Sequence, residues 1–125
     1  MRYHLSVRDL LRDGRPFDLF KDFEAEELTG LDFSDCPNER YSFAGSLFIS
    51  CNFGTLDLSK CSIVGTRFED CDLSEVQGLR ECLASVYLTN SETTFRFDCL
   101  FPPDFDPEVD LYPAMLDRRF SASRH

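Results

Sequence analysis

The side chains with the most chemistry in this 125-residue chain are six cysteines, at positions 36, 51, 61, 71, 82 and 99. Metal-binding thiols usually come in C-x-x-C pairs, and none occurs here. Cys36, Cys51, Cys61 and Cys71 sit instead at separations of 15, 10 and 10 residues. Each falls two residues before the middle of a step in a five-residue repeat, a position that points inward, so these thiols read as small core side chains, with no disulfide and no metal expected. The two histidines, His4 and His125, stand near opposite ends, so neither has a local Cys or Ser to activate. Neither G-x-x-x-x-G-K-[ST] nor G-x-G-x-x-G occurs, which removes the ordinary nucleotide motifs. What remains is acid: 23 Asp and Glu against 13 Lys and Arg, a formal charge of −10. Carboxylates on an exterior without a desolvating pocket are not tuned as general acids. The expectation is a protein that is not an enzyme, with no catalytic residues and no cofactor.

The elements that hold these acids follow from a period of five. From Lys21 to Asn90 the chain divides into KDFEA, EELTG, LDFSD, CPNER, YSFAG, SLFIS, CNFGT, LDLSK, CSIVG, TRFED, CDLSE, VQGLR, ECLAS and VYLTN. The middle residues are Phe23, Leu28, Phe33, Asn38, Phe43, Phe48, Phe53, Leu58, Ile63, Phe68, Leu73, Gly78, Leu83 and Leu88, so only Asn38 and Gly78 depart from Phe, Leu or Ile. A helix repeats its apolar positions every three or four residues and a half-buried strand every second one, so neither template explains the run. A fixed repeat of this kind points to a solenoid.

CNFGT, LDFSD, LDLSK and CDLSE each carry a small or apolar residue two before a central Phe or Leu, with Asp or Asn between them. In this the stretch resembles the pentapeptide-repeat family. The resemblance implies an all-β solenoid, a right-handed quadrilateral β-helix of pentapeptide repeats with short helical or irregular N- and C-terminal caps. The chain then divides into an N-terminal cap at 1–20, the repeat at 21–90 and a C-terminal strand and acidic segment at 91–125, all within one domain.

In such a stack, residues twenty apart lie over one another at about 4.8 Å. EELTG, SLFIS, TRFED and VYLTN share one side and LDFSD, CNFGT and CDLSE the next. The corner between them gathers Glu26, Glu27, Asp32, Asp35, Glu69, Asp70, Asp72 and Glu75 against a single Arg67. Arg40, Lys60 and Arg80 line up on a third side, where the irregular units CPNER and VQGLR also fall. Leu47 and Ile49, flanking Phe48, and Tyr87 are expected to point outward as an apolar contact patch, for the chain's own terminus or for a partner.

The two ends depart from the repeat. Ser6 followed by Asp9 is a capping-box pattern, with Leu5 and Leu10 as a staple and Gly14 and Pro16 as stops, so a short helix from Val7 to Asp13 is expected. Thr93, Phe95, Phe97, Cys99 and Phe101 alternate as the buried side of a strand. Beyond them Asp104, Asp106, Glu108 and Asp110 form an acidic arm, with Asp106 before Pro107 as a helix start.

Charge and shape set the expected partners. A strongly acidic chain argues against direct nucleic-acid binding, which demands a basic patch, and for a basic protein surface. The well-understood relatives of the resembled family imitate B-form DNA and occupy type II topoisomerases in its place. The expected function is therefore a DNA-mimic inhibitor at the DNA-binding surface of a host or phage-defence protein: a gyrase or other topoisomerase, a CRISPR surveillance complex or a nuclease. A rod of about three and a half turns spans about 17 Å, or about five base pairs, so a short site or an end-to-end homodimer fits better than full-length mimicry. The competing expectation is a protein-interaction scaffold without mimicry. No segment has the run of about 18 apolar residues needed to cross a membrane, and Met1 to Gly14 lacks the pattern of a secretory signal, so no membrane association and a cytoplasmic location are expected.

Overall fold

The structure is a computed structural model that describes residues 5–6, 27–34, 40–89 and 92–118. Its elements are β1 (Leu5–Ser6), β2 (Glu27–Thr29), β3 (Leu31–Asp32), β4 (Leu47–Ile49), β5 (Arg67–Glu69), α1 (Leu79–Thr89), β6 (Thr94–Arg96), α2 (Pro107–Asp110) and β7 (Leu116–Asp117). Strands β2, β4, β5, β6 and β7 form one parallel sheet in that order, and β1 pairs with β3.

The register comes from the five-residue steps. The buried centres Phe43, Phe53, Ile63 and Leu73 are each followed by a tight turn, closed by bonds from the Ser46, Leu56, Thr66 and Val76 amides to their carbonyls. Four five-residue steps bring the chain back over itself, so Glu27, Leu47 and Arg67 pair in succession. The single bridges Asp32 to Asn52 to Asp72, Ser42 to Ser62 and Asp57 to Gln77 keep the same twenty-residue offset. Inside, Phe33 stacks on Phe53 at 4.9 Å, and Phe48, Phe68 and Phe95 stack at 5.8 and 4.7 Å. Rings from neighbouring sides meet edge to face, as Phe43 and Phe48 do at 5.2 Å.

The expected all-β solenoid, a right-handed quadrilateral β-helix, is corrected by this architecture. Among the described residues the fold is a small parallel five-stranded sheet with two α-helices, an α/β arrangement. Among the described residues, the side carrying β2, β4 and β5 is extended enough to join the five-stranded sheet, and the next side adds only the two-residue pair β1–β3. The other steps are cut short by their turns and meet through single bridges. After Gln77 the twenty-residue offset is lost, and Arg67 pairs with Thr94 and Asp72 with Leu100.

The break has a local cause. Gly78 has φ +68, and a Cβ there would stand 2.6 Å from the Asp57 carboxylate and 2.9 Å from the Ser59 amide, so the chain can turn here only as glycine. Beyond it Leu79, Cys82, Leu83 and Val86 recur at helical spacing and are all buried. The same segment had satisfied the five-residue count through Leu83 and Leu88. Helix formation keeps Leu83 inside and leaves Leu88 88% exposed.

The ends differ in smaller ways. Leu5 and Ser6, expected to lead into a helix, are the strand residues of β1; the Val7–Asp13 helix itself lies outside the described residues, as do Cys36, Pro37 and Asn38. The expected strand from Thr93 to Phe101 shrinks to β6. Phe95 and Cys99 are buried as the alternation requires, but the chain turns after Arg96 and leaves Phe97 42% exposed. Helix α2 does start at Pro107, with the Asp106 carboxylate accepting from the Glu108 amide at 3.0 Å. Among the described residues no helix is long and apolar enough to cross a membrane.

Two substitutions separate helix from repeat. Phe68→Ala removes the ring between Phe48 and Phe95 and is expected to cost about 3–5 kcal/mol by urea denaturation. Leu88→Ala is expected to stay within about 0.5 kcal/mol of the parent, and a core-sized loss there overturns the assignment of α1.

Candidate functional site

The acidic corner is assembled on β2, β3 and β5 and on the turns that follow β5. Glu27 is exposed at the start of β2, in register with Leu47 and Arg67. Gly30, Ser50 and Asp70 occupy equivalent positions just past the three strands, all at positive φ (72, 55 and 52). Asp is among the side chains that tolerate that conformation. Ser50 Oγ donates to Asp70 Oδ2 at 2.7 Å, binding one turn to the next.

Two residues further on, Asp32, Asn52 and Asp72 are bridged in a column. Asp32 Oδ1 accepts from the Ser34 amide and Asp72 Oδ1 from the Ser74 amide, both at 2.9 Å. Asn52 makes the equivalent bond with the Gly54 amide at 3.0 Å. Each side chain thus shapes its own turn with one oxygen. Glu75 is exposed beyond them. Glu26 and Asp35, the other two members of the expected corner, lie outside the described residues.

One acid of the corner serves the fold in addition. Glu69 receives Arg96 Nη1 at 3.0 Å, and Asp98 receives Arg96 Nη2 at 2.8 Å and Nε at 3.0 Å. The Arg96 side chain is only 4% exposed. Burial disfavours its charge, but the bonds from Asp98 and the field of Glu69 outweigh that and hold its pKa above the ordinary value. Asp98 Oδ1 also accepts from the Asp70 amide at 2.9 Å, tying the corner to this pair. The alternation of Phe95 and Phe97 had turned Arg96 and Asp98 toward solvent, and the only available signal was an arginine standing between two acidic segments.

The expected apolar patch is divided. Leu47 and Ile49 are half-buried on β4, whereas Tyr87 belongs to α1. Its hydroxyl donates to the Asp110 carbonyl at 2.6 Å and its ring stacks on Tyr112 at 4.2 Å. Burial and the neighbouring Tyr112 and Asp110 raise its pKa.

The acidic arm is folded back on cations. Arg80, expected in a basic column with Arg40 and Lys60, instead reaches Asp110 at 2.9 Å and Asp104 at 3.4 Å and covers the Phe105 ring. Arg118 binds Glu108 at 2.6 Å. The Asp106 amide and then Arg80 lower the pKa of Asp110, and Arg118 lowers that of Glu108. These exposed pairs add little stability, but they reduce the arm's charge toward any partner.

Four of the described thiols, Cys51, Cys71, Cys82 and Cys99, are core groups, whereas Cys61, expected inside, is half-buried. Cys51, Cys71 and Cys99 are buried and donate to the carbonyls of Ile49, Phe48 and Phe68 at 3.5, 3.3 and 3.4 Å. Burial pushes the Cys82 thiol up to about 12. Among the described residues no group of three or more His, Cys, Asp or Glu is placed to hold a metal ion. What the arrangement offers chemically is fixed negative charge.

No protein-family model, no curated protein and no solved structure matches this chain.

Two measurements check this geometry. Arg96→Ala leaves two carboxylates facing a buried gap and is expected to cost about 2–3 kcal/mol in urea denaturation, less than a fully buried pair because both acids keep some water. The lowered carboxyls of the arm stabilise above their unfolded pKa values, and that contribution disappears as pH falls through the folded ones. Acidification is therefore expected to loosen the Tyr87–Tyr112 contact, followed by proton NMR, while the Phe48–Phe68 contact persists; an arm unchanged after both carboxyls have protonated contradicts this.

Proposed function

We propose that this chain is a non-catalytic acidic inhibitor that occupies the DNA-binding surface of a nucleic-acid-processing protein in place of DNA. Type II topoisomerases, CRISPR surveillance complexes and nucleases are the target classes, met in the cytoplasm. Membership of the pentapeptide-repeat family is part of the proposal and rests on the five-residue spacing of the buried centres from Phe43 to Leu73.

The observation that supports it is the attachment of the acids to backbone of fixed register. Besides Glu69, the corner carries Glu27 and Asp32 on β2 and β3 and, two pairing steps away, Asp70, Asp72 and Glu75 just past β5. Two steps span about 10 Å, over which duplex DNA presents about six phosphate charges. Five carboxylates in that length approach this density, and turns already ordered by their own hydrogen bonds lose little entropy on docking.

A second reading has its own observation. Leu88, Val109 and Tyr112 are exposed on and around α1 and α2. Exposed apolar side chains of this size suit a scaffold that binds a protein without imitating DNA.

Asn52 shows how to separate the two, because it makes the same turn as Asp32 and Asp72 without the charge. The triple variant Asp32→Asn, Asp72→Asn, Glu75→Gln is expected to keep its melting temperature. Binding of the parent to a purified type II topoisomerase or CRISPR surveillance complex is expected to fall at least roughly tenfold between about 50 and about 200 mM salt and to be displaced by duplex DNA. The variant is expected to have lost most of that binding. Binding that survives in the variant, or that duplex DNA does not displace, rules out mimicry by this corner.

A further inference from the structure

Helix α1 has one stripe that the core does not use. Residues four apart on a helix lie over one another, which puts Arg80, Ala84 and Leu88 on one line, away from the buried Leu79, Cys82, Leu83 and Val86. The acidic arm meets the helix beside that line. Arg80 reaches Asp110 and Asp104, while Tyr87 donates to the Asp110 carbonyl and stacks on Tyr112. Ala84 and Leu88 stay exposed next to these contacts. Leu88 at 88%, Val109 at 75% and Tyr112 at 58% are the three most exposed large apolar side chains among the described residues. All three gather around Tyr87: Leu88 follows it in the helix, Tyr112 stacks on it, and Val109 precedes the Asp110 to which it is bonded. Single exposed apolar residues need no explanation, but a group of this kind marks a contact surface.

The border of the strip is acidic. Glu81 on α1 and Asp104, Asp106 and Glu108 on the arm are exposed. With Asp110 they outnumber Arg80 and Arg118, the cations of these two segments.

We propose that this strip docks an amphipathic helix of a partner protein, one with an apolar face bordered by lysines or arginines. The apolar face of the partner covers Ala84, Leu88, Val109 and Tyr112, and its border cations meet the acidic rim. A helix suits the strip because its own apolar stripe is equally narrow. The rim decides against an acidic partner and, in a chain of net charge −10, against a second copy of the chain. The proposal rests on the reading of the chain as a protein-binding scaffold and does not involve the acidic corner.

The test uses the full chain and three synthetic peptides of about four helical turns, followed by amide chemical shifts. The first is built of Leu and Lys with every Leu on one face, the second has the same composition shuffled so that no face is apolar, and the third has Glu in place of each Lys. The first is expected to bind at least roughly tenfold more tightly than either other, with shifts centred on Ala84, Leu88 and Tyr112. Leu88→Gln with Val109→Gln, both exposed and neutral, is expected to weaken that binding at least roughly tenfold with the melting temperature unchanged. Equal binding of the Lys and Glu peptides at the strip overturns the basic partner while leaving the scaffold reading intact. Equal binding of the shuffled peptide, shifts centred on Asp70 to Glu75, or unchanged affinity in the variant overturns the strip as the site. No saturation by any peptide up to about 1 mM removes the proposal and the scaffold reading together.

Discussion

The rest of the molecule depends on the face-to-face stacking of buried rings between successive passes of the chain. Phe48, Phe68 and Phe95 lie one over the next, and Phe33 lies over Phe53. A parallel pair of three-residue strands is weak by itself, since each makes only a few hydrogen bonds. The rings give the pairing its register: slipping by one residue would expel the whole centre row to solvent and bring the outward acids inside. The outward positions of the paired strands and the turns beside them inherit their place from that stack.

The register explains why the corner tolerates so much negative charge. Its acids are used twice, first to shape the backbone and then as surface charge. Asp32 and Asp72 each give one oxygen to a turn amide, and Asp70 takes a hydroxyl from the pass before it. The nearest strongly held cation is Arg96, whose guanidinium is buried and committed to Glu69 and Asp98. Elsewhere the acids and bases neutralise one another, as in the arm around Arg80 and Arg118. The contrast between an arm folded onto its cations and a corner with one exposed arginine is what makes the corner the stronger candidate surface.

Helix α1 is where two local patterns competed. Leu83 and Leu88 continue the count of five, while Leu79, Cys82, Leu83 and Val86 fit a helix equally well. Helix formation satisfies its own backbone hydrogen bonds, whereas another extended pass would need partners both below and above. Gly78 then lets the chain change direction without a clash against Asp57 and Ser59. The cost of the choice is an exposed Leu88. Its consequence is a groove beside Lys60 and a platform on which the arm rests through Tyr87 and Tyr112.

Taken alone, the sequence determined which residues are buried between Phe43 and Leu73, the inward place of Cys51 and Cys71, the twenty-residue offset and the clustering of acids after β2 and β5. These follow from side-chain spacing, which is a property of the chain itself. Only the tertiary structure decided that the fold is a parallel sheet with helices instead of an all-β solenoid, that Arg96 turns inward, that Arg80 leaves the basic column and that Tyr87 parts from Leu47 and Ile49. Each of those outcomes depends on a partner far away in sequence: Asp104 and Asp110 for Arg80, Glu69 for Arg96, Tyr112 for Tyr87. Periodicity fixes which way a residue faces within its own segment, but it carries no information about which distant charge or ring will be there to meet it.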